Sequence, residues 1–184
     1  MALFDEFPYL ENDYIIIRKM NESDIDSLEE ITGNDNVYKY IPAFLYKKSR
    51  GNLLAAIRNI GGRDFDKKKM IIAGIYLKDN SEHLVGLTEM FDYKKKINQI
   101  TIGYRLNEGY WHKGIATSAV ALMKEYLIET EQIGTLYAYV MPENIFSAKV
   151  LEKNGFIKQP NQKEESGWGG REHVLLDVFT YSKL

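Results

Sequence analysis

Gly109-Tyr110-Trp111-His112-Lys113-Gly114-Ile115-Ala116-Thr117 joins two different kinds of sequence. Residues 97–106, before it, read as a strand. Residues 114–130, after it, carry Ile115, Ala119, Leu122, Met123, Tyr126 and Leu127 on one face of a 3.6-residue period. The stretch is therefore a strand-to-helix connection. A helix start presents unpaired N–H groups and the positive end of the dipole, and glycine lets an anion come close to the backbone. Taken alone, the stretch is either a phosphate cradle or a plain strand–loop–helix link. Gly109 and Gly114 have P-loop spacing, but Ile115-Ala116 stand where Lys-Ser/Thr would be needed, and no GxGxxG occurs. A nucleotide triphosphatase and a Rossmann dehydrogenase are both disfavoured.

Upstream, three strand-like segments (Met70–Leu77, 83–92 and 97–106) are separated by polar turns at 78–81 and 93–96. Such short links suggest an antiparallel meander. A strand over 14–18, a helix after Asn21 ending near Gly33 and a helix from Ser49 to Gly61-Gly62 precede them. Between those helices, residues 34–48 are irregular and aromatic. Downstream come a strand over 135–141, a short helix over 143–154, a Gly-rich segment around Trp168 and a last strand over 174–181. The expected order is β-α-α-β-β-β-α-β-α-β-β. That is an α/β (α+β) domain with a mixed, mostly antiparallel central sheet of about seven strands flanked by four helices. Residues 97–141 form a βαβ unit whose strands are parallel or splayed.

The short helix has a second pattern. Asn144 can cap it, Ser147 follows at the third helical position, and Asn154-Gly155-Phe156 supply a left-handed stop with an apolar contact.

The chain has 184 residues, 45% of them hydrophobic and 27% charged, which fits one globular domain over residues 1–184. The net charge of −2 gives no footprint for nucleic acid. No apolar run exceeds the eight residues of Met70–Leu77, too short to span a bilayer, and the first ten residues, MALFDEFPYL, have no basic segment followed by an apolar one, so no secretory signal is expected. There are no cysteines, which excludes disulfides, thiolate metal sites and a Cys nucleophile and fits a cytoplasmic location. His83, His112 and His173 have no metal-ligand spacing, so no metal is expected.

The two patterns together resemble the GNAT superfamily of acetyl-CoA-dependent N-acetyltransferases. Its phosphate motif, Q/R-x-x-G-x-G/A, aligns with Trp111-His112-Lys113-Gly114-Ile115-Ala116. Its later motif, N-x-x-S/A followed by K-x-G-F, aligns with Asn144, Ser147, Lys153, Gly155 and Phe156. The Rim-type branch, named for acetylation of ribosomal-protein N-termini, is the most similar. Ile16-Ile17-Arg18, Val37-Tyr38-Lys39-Tyr40-Ile41-Pro42, Ile102-Gly103-Tyr104 and residues 173–181 carry that likeness.

The resemblance implies acetyl-CoA as co-substrate and an amine acceptor: a protein N-terminus, a polyamine, an aminoglycoside or another small amine. It implies no nucleic-acid or membrane partner, and a monomer or homodimer. Backbone groups of Tyr104, Arg105 and Leu106 would bind the pantetheine arm. The N–H groups of His112, Lys113, Gly114, Ile115, Ala116 and Thr117, after Trp111, would hold the pyrophosphate. Asn144 would contact the cofactor chain. The Leu106 N–H would meet the developing oxyanion.

Trp111 stands where the superfamily usually has Gln or Arg, as the Rim-type branch often does. Leu151 replaces a common acid Tyr, and Ser147 matches the serine proposed for that role in the Rim-type branch. Thr101 replaces a common base Glu, which turns attention to Glu89; the alternative for Glu89 is a solvent-facing strand residue. The changes at Thr101 and Leu151 also motivate a different reading, a non-catalytic acyl-CoA-binding module. Acceptor recognition would fall to residues 34–48 and the segment near Trp168.

Overall fold

Alternating and β-branched segments pair into one sheet in the computed structural model, which describes residues 4–68 and 70–183. β1 (Leu10–Glu11) and β2 (Ile15–Arg18) lead into α1 (Ile25–Gly33), α2 (Asp35–Tyr38), α3 (Arg50–Ile60) and α4 (Arg63–Asp66). The meander follows as β3 (Met70–Leu77), β4 (Asn80–Lys94) and β5 (Gln99–Leu106). α5 (Ile115–Glu125), β6 (Thr135–Val140), α6 (Ile145–Lys153), β7 (Ile157–Glu165) and β8 (Val174–Ser182) complete the chain. The strand order is β1-β2-β3-β4-β5-β6-β8-β7. Every pairing is antiparallel except β5 with β6.

The eighth strand is the two-residue β1, too short to show a period. The four helices expected from the sequence are α1, α3, α5 and α6; α2 and α4 are single turns of four residues. The helix expected over 114–130 changes pitch, with a π turn from Tyr126 to Thr130 closed by Glu131 N–H to the Tyr126 carbonyl at 3.1 Å. The polar residues Asn80 and Ser81 extend β4 rather than turn, and the register slips between Tyr76 and Leu77 absorb them.

Strand alternation sends side chains to two cores. Ile15, Ile17, Ile71 and Ile100 pack beneath α5 and α6 with Ile115, Ala119, Met123 and Leu151. Ile16, Ile72, Tyr76 and Leu87 pack beneath α1 and α3 with Leu28, Ile31, Leu53 and Ile57. The sheet is thus a middle layer with helices on both faces.

β5 and β6 pair over only three positions: Gln99 with Thr135, Ile100 with Leu136 and Thr101 with Tyr137. Beyond Thr101 the two strands separate. β6 continues on β8, and β5 continues on β4. The central gap that results opens toward the start of α5.

Candidate active site

The connection from β5 to α5 is built to leave donors free. Gly114 sits at the N-cap of α5 with φ of 78°, a left-handed conformation that suits glycine, and offers no side-chain cap. The first bond back into the helix is Ser118 N–H to the Gly114 carbonyl at 3.0 Å. The N–H groups of Ile115, Ala116 and Thr117 therefore have no intrahelical acceptor. Asn154 Nδ2 holds the Thr117 carbonyl at 3.1 Å, and Tyr14 Oη holds the Lys113 carbonyl at 2.9 Å. Lys113 Nζ turns back to the Gly109 carbonyl at 2.8 Å. His112, at φ of 60°, meets the Phe146 ring edge-on with centroids 4.8 Å apart.

Trp111 has a different place from its neighbours. Its N–H bonds the Glu108 carbonyl at 3.1 Å, and its indole Nε1 donates to the Leu106 carbonyl at 3.0 Å. It braces the end of β5 against the loop, and its side chain lines the cleft beside Leu106, His112 and Ala116.

The free edge of β5 follows from strand alternation. Asn107 N–H bonds the Val85 carbonyl of β4 at 2.9 Å. Odd-numbered residues of this strand therefore turn their backbone groups to β4, and Tyr104 and Leu106 turn theirs into the gap. The backbone of Arg105 faces β4, so of the three expected backbone contacts only Tyr104 and Leu106 border the gap.

α6 closes the other side. Asn144 Oδ1 accepts the Ser147 N–H at 3.3 Å, as an N-cap should. Gly155, at φ of 82°, and the buried Phe156 end the helix. The Ser147 Oγ lies 2.7 Å from the Tyr104 hydroxyl, and the Ser147 carbonyl lies 3.2 Å from it. Burial pushes the Tyr104 phenol well above its ordinary value; the Ser147 hydrogen bond works the other way and is the smaller effect. The phenol stays protonated through the neutral range. Replacing Tyr104 by Phe removes the neutral hydrogen bonding between the phenol and Ser147, worth about 1 kcal/mol. A melting temperature lower by roughly 2–4 °C is expected in a thermal melt. Leu151, beneath, is fully buried in the core.

Glu89 faces the α1–α3 side opposite Gly103 in the β4–β5 register. Its side chain is 16% exposed, so it does not point to bulk solvent. Oε1 pairs with the Arg105 guanidinium, whose side chain is 4% exposed. Oε2 lies over Gly103, 3.4 Å from where a Cβ would stand. Arg105 also donates to the Tyr38 hydroxyl at 2.9 Å and to the Phe44 carbonyl at 3.1 Å, and Tyr38 itself donates to that carbonyl at 2.7 Å. The sequence pointed only to the backbones of Tyr104 and Arg105. A charged residue at an inward position of an apolar strand was the available signal for the Arg105 side chain.

Two distant segments roof Glu89. Gly169 N–H bonds the Ile41 carbonyl at 3.1 Å, and Pro42 bridges Trp168. Arg171 pairs with Glu143 at 2.7 Å, next to the α6 cap.

Three clefts share walls. One, at Glu89, is lined by Tyr40, Phe91, Tyr139 and Trp168 and meets a second along Tyr104, Asn144 and Ser147. The second meets a third along Leu106, His112 and Ala116, and the third ends at residues 113–117. A continuous passage thus runs from the uncapped helix start, through the gap in the sheet, to the Glu89 carboxylate. Among the described residues no cluster of His, Asp and Glu suits a metal ion. No helix among them is long and apolar enough to cross a membrane.

Residues 15–157 match the family model described as an acetyltransferase (GNAT) domain. The uncharacterized N-acetyltransferase YoaA of Bacillus subtilis (strain 168) is 26% identical over 153 residues, 83% of this chain and 85% of the relative. The fold is similar to that of RimL, a ribosomal L7/L12 alpha-N-protein acetyltransferase solved in complex with coenzyme A. That likeness has a TM-score of 0.79 at 13% identity, over 95% of this chain and 98% of the other. A ribosomal-protein-S5-alanine acetyltransferase from Vibrio fischeri superposes with a TM-score of 0.74 at 18% identity, over 93% and 95% of the two chains.

Proposed function

This chain belongs to the GNAT acetyltransferase family and is an acyltransferase, and from that premise we propose that it moves the acetyl group of acetyl-CoA directly to a primary amine. The observation that carries the reading is the unbroken passage from the helix start to Glu89. The residues present suit the co-substrate. Free N–H groups at Ile115–Thr117 and a positive helix end match a pyrophosphate. The Tyr104 backbone groups and the Leu106 N–H, all turned into the gap, match the amides of a pantetheine arm. Asn144 and Ala116 border the path between them.

Each step then falls to a residue on that path. Glu89 Oε2 takes a proton from the acceptor ammonium, so that a neutral amine can attack. The Leu106 N–H faces the charge that develops on the acetyl oxygen. The Ser147 hydroxyl, held by Tyr104, stands beside the departing sulfur. A C–N bond forms and a C–S bond breaks. The nitrogen gives up two protons, of which one ends on sulfur and one in solvent. No covalent link to the protein is needed, in keeping with a chain that has no cysteine.

Thermal unfolding with and without acetyl-CoA tests the cradle. Ligand at 100 times its dissociation constant adds about 2.7 kcal/mol, which raises the melting temperature by roughly 5–10 °C in a domain of this size. The absence of a shift at millimolar ligand would reject the reading.

A further inference from the structure

We propose that the acceptor is a primary ammonium at the end of an unbranched aliphatic arm, entering a slot that ends at Glu89; this rests on the acetyltransfer reading above. The slot has a volume of about 70 Å³. An apolar cavity that takes up benzene has about 150 Å³, so the space beside Glu89 suits a short methylene chain better than a six-membered ring.

The walls cannot easily draw back. The roof segments touch backbone to backbone: a Cβ on Gly169 would stand 2.3 Å from the Lys39 carbonyl oxygen. The Gly169–Ile41 hydrogen bond and the Arg171–Glu143 pair hold that closure. An α-amine of a peptide brings a substituent and a planar amide within two bonds of the nitrogen, and so small a space favours a nitrogen without them. An alkylammonium brings neither.

The chemistry at the closed end fits the same ligand. Arg105 occupies Oε1 of Glu89 and leaves Oε2 over Gly103. The missing side chain of Gly103 makes the space in which an ammonium reaches that oxygen. Tyr40, Phe91, Tyr139 and Trp168 add aromatic surface, which attracts a cation and tolerates methylene groups.

The shared chemistry has two sources, a free alkylamine and a lysine side chain. Thiol release from acetyl-CoA is measured with n-butylamine, Nα-acetyl-lysine amide, a lysine-free tripeptide with a free α-amine, and glucosamine. At least one of the first two is expected to exceed both others by tenfold or more in kcat/KM, and the larger of the two identifies the source. Gly103→Ala places a methyl group beside Oε2. It is expected to raise the KM of the preferred alkylamine at least tenfold while the acetyl-CoA thermal shift persists, which also verifies folding. Preference for the tripeptide or glucosamine overturns the proposal, as does an unchanged KM in Gly103→Ala. A thermal shift with no thiol released from any probe overturns it too. No thermal shift overturns instead the reading on which it rests.

Discussion

Arg105→Met lowers the melting temperature by roughly 6–20 °C, the largest stability loss expected of any single change around the cleft. The guanidinium is almost fully buried, and its removal leaves the Glu89 carboxylate without its partner in a cleft shielded from water. Breaking a buried pair from one side costs about 3–5 kcal/mol, and each kcal/mol moves the melting point of a domain this size by about 2–4 °C. The Phe44 carbonyl and the Tyr38 hydroxyl lose a donor at the same time. Adding Glu89→Gln to Arg105→Met removes the stranded charge and should restore part of the loss. A thermal-melt cycle over the two single variants and the double variant measures the coupling. Additive losses would show that the pair contributes nothing of its own.

Glu89→Gln lowers kcat by roughly 10²–10⁴-fold, the range expected when a positioned general base is removed. The amide keeps the shape of the side chain but cannot accept the ammonium proton. The KM for acetyl-CoA should stay within about twofold, because the cradle at Ile115–Thr117 lies at the other end of the passage. Steady-state kinetics check both points, and an unchanged kcat would remove Glu89 from the mechanism.

The layout of the sheet was legible because its signals are local. Strand-like runs between polar turns mark β3 to β5, and the 3.6-residue face from Ile115 to Leu127 marks the helix that crosses between β5 and β6. The glycine at 114 was legible for the same reason, since a left-handed cap is a property of one residue. The polar network was not. Arg105 reaches Tyr38 across 67 residues and Phe44 across 61, and Tyr104 reaches Ser147 across 43. Nothing in the neighbourhood of either residue announces those partners. The bond of the Trp111 indole to the Leu106 carbonyl, five residues back, was likewise not announced by its place in the motif. Glu89 stood between two readings until the cross-strand position of Gly103 gave its carboxylate an inward side.

The three-residue contact between β5 and β6 has a consequence for how the molecule comes apart. It divides the sheet into a leaf of five strands and a leaf of three, each continuous in itself. Cooperative opening units tend to follow such continuity. The β6-β8-β7 leaf, with α6 beside it, can loosen at a lower free energy than global unfolding, while β2 to β5 keep their ladders. Amide hydrogen exchange would then divide along the seam. Tyr104 and Leu106, though central in the chain's longest meander, would exchange like residues of an edge strand, because their N–H groups face a gap where a neighbouring strand would otherwise stand.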